Sequence, residues 1–443
     1  MKGKRVIAIL LILMLVSTYS IGERIFRREV EKKEIDTVIS QEGFVERAIE
    51  KLMKMAHMSA VSAAIVKDGE LVWARGFGLA YREKNMVADE NTIYLVASIS
   101  KTFTATAIMQ LYEKGLIDID KDVNEYLPFS LRNPRYPDES ITVRMLLAHQ
   151  SSLAEDPPGF YFRCPAGLKM EDYFEQWLHE YLTPSGLYYM PQIWSDYEPG
   201  EKMFYANVGY SLLGYIVERV SGESFEEYCR KNIFEPLAMK NTSFEFENLN
   251  ISRIAMPYVY SRGEYYPLTY YSILDYPAGG LRTSVVDLSR FLIAHINGGV
   301  FEGTRILKEE SVEEMHRVQY PSDTYNFQYG LGFQIWDIGG ERYIGHTGGL
   351  YGVATKMVFR ESDGTGVIYF INSGADDLRG IVAYSLIERL LFWKASGFDA
   401  SELSIDKIKA TVMANLHLIG KEIDKDAIEE EINSAFSQLI IPS

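Results

Sequence analysis

The chain has 443 residues, of which 47% are hydrophobic and 24% are charged. This size and composition are typical of a large enzyme-sized globule with two lobes around a substantial core. The net charge is -16 and no block of lysine and arginine is present, which argues against a nucleic-acid partner. The seven histidines are scattered without paired ligand spacing, so we predict no metal site.

The first residues are typical of an export signal. Three cations among the first five residues precede an apolar run over 6–16, and the small residues Ser20 and Gly22 follow. We predict that residues 1–22 are either a cleaved signal peptide or an N-terminal membrane anchor. The catalytic domain is then expected to be extracellular, or membrane-anchored and facing outside the cytoplasm.

Periodicity predicts several elements in chain order. Strand-forming residues at 60–66 and 71–79, joined by a turn that contains Asp-Gly, predict a β-hairpin. A long helical pattern is predicted to begin at Ser98, after strand-like residues at 92–96. Three more antiparallel strands and a covering helix are predicted at 342–345, 353–359, 366–372 and 378–393.

Three short strings suggest a catalytic site: Ser98-Ile99-Ser100-Lys101, Tyr205-Ala206-Asn207 and His346-Thr347-Gly348. Each alone is weak, because a serine and a lysine three residues apart also occur at Ser404 and Lys407. Only the first pair opens a long helical pattern with the other two strings far downstream.

The spacing has a chemical meaning. Residues three apart share one helix face, so the Lys101 ammonium can reach the Ser98 hydroxyl, which is inert until a neighbour takes its proton. Lys101 can take that proton only if burial and its neighbours lower its pKa. Tyr205 completes a Ser-Lys-Tyr relay, in which the lysine and tyrosine roles cannot be separated from sequence.

The same strings predict an oxyanion hole. Ser98 begins a helix, so its backbone N–H faces the site, and Gly349 offers a second N–H from the strand that carries His346, Thr347 and Gly348. Structural alternatives stay open: Ser98 as a helix cap, Tyr205 as a packed aromatic residue and His346 as a satisfied strand histidine.

The ordered set of motifs resembles the serine β-lactamase and penicillin-binding-protein-like hydrolases, near class C β-lactamases, DD-peptidases and related esterases. Further matching segments are Ile141 to His149, Glu198-Pro199-Gly200 and Gly279-Gly280-Leu281. The resemblance covers residues 36–395 and implies an α/β (α+β) β-lactamase-like fold. In that fold an antiparallel sheet is flanked by helices, a second lobe is all-helical, and the active site lies between them.

The resemblance also implies residue roles. Ser98 is the acylated nucleophile, Lys101 and Tyr205 form the proton relay, and Asn207 holds Lys101 and the substrate. The substrate-binding set is then Asn207, His346, Thr347, Gly348 and Gly349.

Two departures from the family pattern bear on the substrate. Class C β-lactamases usually carry lysine where this chain has His346, and a histidine that is mostly neutral at pH 7 is a poorer anchor for a carboxylate. Gln150-Ser151-Ser152 replaces the usual Thr-Ser-Gly, which removes a glycine after His149. We expect His149 to be a structural hydrogen-bonding residue.

Two aromatic-rich stretches, 153–198 and 265–276, are expected either to wall the cleft or to build core between the lobes. Phe160, Tyr161 and Phe162 lie in the first. Cys164 and Cys229 either pair or remain two free thiols, and we expect the free thiols, because pairing needs a Cα separation that the sequence does not give.

Residues 396–443 carry two amphipathic patterns, with apolar residues at Ile405, Ile408, Val412 and Leu416 and then at Ile428, Ile432, Phe436 and Leu439. This predicted helical extension can pack on the hydrolase, pair with another subunit to form a homo-oligomer, or touch a membrane. The acidic polar face makes the membrane option the weakest.

The leading hypothesis is a serine hydrolase that acts through an acyl-enzyme on an ester, a small amide or a D-peptide bond. This hypothesis implies no cofactor. The first alternative is a DD-carboxypeptidase or weak β-lactamase that penicillin would label. An alternative of another class is a non-catalytic sensor or scaffold.

Overall fold

The structure is a computed structural model that describes residues 43–154, 163–167, 171–321, 323–374, 377–419 and 425–440. The predicted signal or anchor at 1–22 lies outside these ranges, as do Phe160, Tyr161 and Phe162.

The described residues form strands with the following bounds: β1 Ala60–Lys67, β2 Glu70–Tyr81, β3 Met86–Val87, β4 Tyr94–Leu95, β5 Arg163–Pro165, β6 Tyr258–Ser261, β7 Glu264–Pro267, β8 Tyr271–Ile273, β9 Arg282–Thr283, β10 Val300–Phe301, β11 Thr304–Arg305, β12 Gln328–Tyr329, β13 Gln334–Ile338, β14 Glu341–Leu350, β15 Val353–Arg360 and β16 Gly366–Ile371. The main sheet is antiparallel and has the order β12-β13-β14-β15-β16-β1-β2-β3. The remaining strands form short pairs.

The helices of the same residues are α1 Phe44–Met55, α2 Ser100–Glu113, α3 Val143–Leu147, α4 Glu171–Leu182, α5 Asn207–Ser221, α6 Phe225–Cys229, α7 Tyr276–Gly279, α8 Val285–Ile296, α9 Glu309–His316, α10 Leu378–Ala395, α11 Ile405–Asn415 and α12 Lys425–Ile440. Within the described ranges, none is both long enough and apolar enough to cross a bilayer.

Strand β1 shows how the sheet separates two cores. Successive side chains of a strand point to opposite faces, and Ala60, Ala64 and Val66 pack in one core while Ala63 and Ile65 pack in the other. The first core joins the sheet to α8 and to the helical lobe built around α2 and α5. The second core joins the opposite face to α1, α10 and the C-terminal helices.

The predicted elements are largely present. The hairpin forms with Asp68 and Gly69 at φ +54° and +74°, which suits a two-residue turn. The strand predicted at 342–345 is longer, because β14 runs through the whole His346 string to Leu350. The strand-like stretch 92–96 contributes only β4, which pairs with β9.

The C-terminal extension packs on the catalytic lobe behind the sheet. Ile408, Val412 and Leu416 of the first predicted apolar face are buried, and so are Ile428 and Ile432 of the second. These residues join the core that contains α1 and α10. The side chains of Phe436 and Leu439 lie outside the described part of the chain. Of the three alternatives for this segment, packing on the hydrolase is the one that the structure shows.

A buried cation fixes the orientation of the extension. Lys356 of β15 donates to Glu388 Oε2 of α10 at 2.7 Å and to Asn415 Oδ1 of α11 at 2.9 Å. Asn415 Nδ2 in turn donates to Ser385 Oγ at 3.0 Å. All four side chains are fully buried, so displacement of α11 would leave polar groups without partners.

We predict that Lys356→Ala lowers the free energy of unfolding by about 3 kcal/mol, because it leaves the Glu388 carboxylate buried beside fewer positive charges. The control is Lys409→Ala, which removes the exposed 2.8 Å pair between Lys409 and Glu429 of the same extension and should cost less than about 1 kcal/mol. Urea unfolding monitored by tryptophan fluorescence measures both. Equal unfolding free energies for the two variants would contradict the prediction.

Candidate active site

Ser98 lies in a 3₁₀ turn, Ala97–Ile99, directly before α2. Ala97 has φ +50°, a left-handed conformation that is strained for a residue with a Cβ and is held by its surroundings. Strand β14 packs against this turn: a Cβ at Gly348 would lie 2.3 Å from the Val96 carbonyl oxygen. Thr355 Oγ1 donates to the same carbonyl at 2.8 Å. Gly348 is therefore required for β14 to approach the turn that carries Ser98.

Lys101 lies one helical turn after Ser98 and is fully buried. Its Nζ is 3.0 Å from Ser98 Oγ, 2.7 Å from Asn207 Oδ1 and 2.7 Å from the Ala278 carbonyl oxygen. The ring centroid of Tyr205 is 4.9 Å from the same nitrogen. The structure thus brings Ser98, Lys101, Tyr205 and Asn207 together, as the sequence predicts.

His149 holds the Tyr205 segment in place. Its carbonyl oxygen accepts the Phe204 N–H at 2.9 Å, its Nδ1 accepts the Ala206 N–H at 3.1 Å, and its ring packs 4.2 Å from that of Tyr205. Burial, and then the charge of Lys101, holds the pKa of His149 well below 6.5. The neutral ring is a positioning group, which agrees with the structural role expected from sequence.

His346 is fully buried behind the wall of the cleft. Its Nδ1 lies 2.6 Å from the Thr347 carbonyl oxygen. Because a carbonyl oxygen can only accept, Nδ1 carries the proton of the neutral ring. Nε2 is therefore the acceptor of the 2.7 Å hydrogen bond from the Tyr329 hydroxyl. Burial and Lys101 lower the pKa of His346 well below 6.5. His346 therefore carries no charge toward a ligand, and Gly348 faces the nucleophile turn instead of the cleft.

A cleft of about 400 Å³ opens in front of Ser98. Its described lining consists of Ser98, Tyr205, Asn207, Ile273, Asp275, Ala278, Gly279, Tyr325, Phe327, Gln334, Thr347, Gly349, Leu350, His417 and Leu418. Ser98 and Gly349, the two predicted oxyanion donors, both belong to this lining.

Sequence reasoning missed Gln334 and His417. Gln334 Oε1 accepts from Thr347 N at 2.8 Å and lies 2.9 Å from Thr347 Oγ1. His417 follows α11, and its Nε2 lies 2.8 Å from the same hydroxyl. Next to it, Leu418 covers the strand: a Cβ at Gly349 would lie 3.4 Å from Leu418 Cδ2. One sequence signal could have pointed to His417. It directly follows Leu416, the last residue of the apolar pattern in the first half of the extension.

The aromatic walls come from a different segment than expected. Among the described residues of 153–198 and 265–276, no aromatic side chain lines the cleft. The ring centroids of Phe174 and Tyr276 are 4.9 Å apart in the core, which follows the core-building alternative. The aromatic lining is instead Tyr205, Tyr325 and Phe327.

Other sequence features have structural roles. Neither Cys164 nor Cys229 is in a disulfide, which agrees with the expectation of two unpaired cysteines in the sense of disulfide bonding. Ser152, at the position of the lost glycine, keeps a left-handed φ of +66°, and its hydroxyl accepts from Asn133 Nδ2 at 2.6 Å. Lys407, the partner of Ser404 in the competing pair, donates instead to Glu341 Oε2 at 3.0 Å.

The fold and the site together define an active-site-serine protein with a β-lactamase-like architecture. The chain belongs to the Beta-lactamase family, whose profile matches residues 45–389. This confirms the family resemblance and the fold class predicted from sequence.

Individual relatives support the same assignment. Penicillin-binding protein 4* of Bacillus subtilis (strain 168) is 27% identical over 394 residues, which cover 85% of this chain and 82% of that protein. The octameric penicillin-binding protein homologue of Pyrococcus abyssi is 28% identical with a TM-score of 0.64, covering 80% of this chain and 76% of that one. The D-amino acid amidase of Ochrobactrum anthropi SV3 is 24% identical with a TM-score of 0.65, covering 80% and 99%, and shows the fold alone. The chain spans about half (48%) of the length of another relative, Protein flp of Staphylococcus aureus.

We predict that His149→Asn retains far more activity than His149→Gln. The Asn oxygen lies near the position of Nδ1 and can accept the Ala206 N–H, whereas the longer Gln side chain places its oxygen near Nε2. We expect kcat to fall less than about 10-fold for Asn and about 100-fold or more for Gln, because misplacing a catalytic group by 1 Å is that costly. Hydrolysis of an activated ester measures both. Equal losses would contradict a positioning role through Nδ1.

We predict that three buried histidines contribute stability that is lost as the pH drops below about 6.5. Burial lowers the pKa of His417 to about 4, and those of His149 and His346 also lie well below 6.5. Below 6.5 the unfolded chain binds protons that the folded chain does not, so the stabilisation present above 6.5 is lost toward the folded pKa. Each histidine contributes up to about 1.4 kcal/mol per pH unit to the slope of the free energy of unfolding against pH.

The measurement is urea unfolding of the wild type and His417→Gln at pH 7.5, 6.0 and 5.0. The free energy of unfolding of the variant should depend less steeply on pH than that of the wild type, by up to about 1.4 kcal/mol per pH unit. This difference in slope is expected whatever the absolute stability of the variant. Parallel curves would show that His417 does not titrate differently in the folded and unfolded chains.

Proposed function

We propose that this protein is a serine hydrolase that forms an acyl-enzyme at Ser98 and releases it to water. The observation that carries the proposal is the position of Lys101 Nζ, which lies within 3.0 Å of Ser98 Oγ and contacts Asn207 and Ala278. A scaffold has no need to bury a lysine against a cleft-lining serine, because burial of the amine is costly.

The contacts of Lys101 orient its proton-accepting electron pair. Once Lys101 has given up a proton, its neutral amine has two N–H bonds and one lone pair, and the oxygens of Asn207 and Ala278 can only accept hydrogen bonds. With the two N–H bonds directed at those oxygens, the lone pair is available to the Ser98 hydroxyl. The ring centroid of Tyr205 lies 4.9 Å from the same nitrogen, and we treat the two groups as one relay.

Attack by Ser98 Oγ on a carbonyl forms a C–O bond and moves the hydroxyl proton to the relay. The backbone N–H groups of Ser98 and Gly349 receive the developing oxyanion, and the relay returns the proton to the leaving alcohol or amine. Water then attacks the acyl-enzyme through the same groups in reverse roles. No cofactor enters these steps.

The substrate is an ester, a small amide or a D-peptide bond. The described cleft lining contains no lysine or arginine, and His346 is neutral and buried, so a carboxylate finds no cationic side chain along that wall. This disfavours the DD-carboxypeptidase and weak β-lactamase alternative. The Ochrobactrum neighbour named as a D-amino acid amidase supports amide hydrolysis on this fold.

Location and assembly are further parts of the proposal. The cationic and apolar start of the chain supports export across, or anchoring to, a membrane, with the hydrolase outside the cytoplasm. The octameric Pyrococcus homologue supports a homo-oligomer, and Ile405 on α11, which is 41% exposed, leaves an apolar side chain on the surface of the extension.

We predict that the wild type hydrolyses p-nitrophenyl butyrate and that Ser98→Ala loses about 10³-fold or more of kcat, because the nucleophile is gone. Lys101→Ala should lose about 10²- to 10⁴-fold through loss of the base. The matched control is Ser404→Ala, which alters the serine of the competing pair and should retain wild-type kcat. Release of p-nitrophenol measures all four proteins.

Equal hydrolysis by the wild type and Ser98→Ala would sink the nucleophile assignment. Trapping of the butyryl group by mass spectrometry on the peptide that contains Ser98 is the direct positive result. Failure to trap it, together with no labelling of the wild type by benzylpenicillin, would favour the sensor or scaffold alternative.

A further inference from the structure

The cleft contains one carboxylate that the acyl-transfer steps do not use. Asp275 lies between β8 and α7, and it lines the cleft together with Ser98 and Ala278. Among the described lining residues it is the only acidic side chain, and no lysine or arginine accompanies it there.

Asp275 is 93% buried, with 7% of its surface exposed, yet no described side chain hydrogen-bonds its carboxylate. Its own backbone N–H supplies its hydrogen bond, and the facing groups are the Lys101 side chain and the Cys164 thiol. Burial raises the pKa of Asp275 to about 6 while Lys101 opposes the rise. A buried anion without donors is costly unless a ligand supplies them.

The opposite wall of the cleft also presents acceptors. The Thr347 hydroxyl has one proton and two nearby acceptors, Gln334 Oε1 and His417 Nε2. His417 Nδ1 lies 2.9 Å from the Ala414 carbonyl oxygen and must donate to it, so the neutral ring accepts at Nε2. With its proton directed at one of these two groups, Thr347 offers a ligand only oxygen lone pairs.

An ion-pairing site for a cation follows from these observations. We propose that Asp275 binds the ammonium group of the substrate, which makes the preferred substrates aminoacyl amides or esters with a free amino group. The inference rests on the proposed hydrolase function and specifies its substrate class. The N–H bonds of the ammonium supply the hydrogen-bond donors that no described side chain gives the Asp275 carboxylate.

The test compares D-alanine p-nitroanilide with N-acetyl-D-alanine p-nitroanilide, and the two L enantiomers in the same way. The acetylated compounds keep the scissile bond and remove the charge. We expect wild-type kcat/KM to favour the free amine, and Asp275→Asn to reduce that preference by about 10- to 100-fold, the loss expected for one charge-assisted hydrogen-bonding partner. Asp275→Glu should restore part of the preference.

The control variant is Asp138→Asn, which removes one negative charge from an exposed position outside the cleft lining and should leave the preference unchanged. If Asp275 acted only by tuning Lys101, both substrates would change by the same factor in Asp275→Asn and the preference would stay, which overturns the inference. The pH profile of kcat for the acetylated substrate would then shift in the variant.

Failure of the inference is distinct from failure of the hydrolase proposal. A wild type that hydrolyses p-nitrophenyl butyrate without preferring free amines overturns the ammonium site and leaves the serine hydrolase intact. A wild type with no Ser98-dependent hydrolysis of any of these compounds overturns both.

Discussion

The site depends on the buried amine of Lys101. Its nitrogen contacts oxygens from three separate segments: Ser98 at the start of α2, Asn207 at the start of α5, and Ala278 in α7. Because a buried amine must keep its hydrogen-bonding partners, these three segments cannot separate without a large cost. The same contacts that hold these three segments together therefore direct the electron pair of the lysine at Ser98.

The wall opposite the helical lobe depends on close backbone packing. β14 approaches the Ser98 turn only because Gly348 has no side chain. Behind that strand, Lys356 ties the C-terminal extension to the sheet, and the extension then delivers His417 and Leu418 to the cleft. The extension is thus part of the active-site wall, and the buried ion pair that docks it also sets the shape of the cleft.

The electrostatic character of the cleft is set by burial. His149 and His346 are close to Lys101, and burial together with that positive charge keeps both rings neutral. Among the described lining side chains, Asp275 is the only carboxylate, and the Thr347 hydroxyl lies beside two acceptors. A cleft that combines one buried lysine at the nucleophile with acceptors on both walls favours a cationic substrate over an anionic one.

The sequence alone determined the local elements and the catalytic set, since i, i+3 spacing fixes which residues share a helix face and alternation fixes which face of β1 enters each core. It predicted that Ser98, Lys101, Tyr205 and Asn207 would meet, and that 405–416 would form an apolar helix face. It did not predict the parts contributed by residues distant in the chain. Gln334, Asp275 and His417 carry no periodic signal, and the aromatic rings of Phe174 and Tyr276 are equally consistent with core and cleft. Only the tertiary structure decided these, because a side chain's burial, charge state and neighbours depend on which segments the folded chain brings beside it.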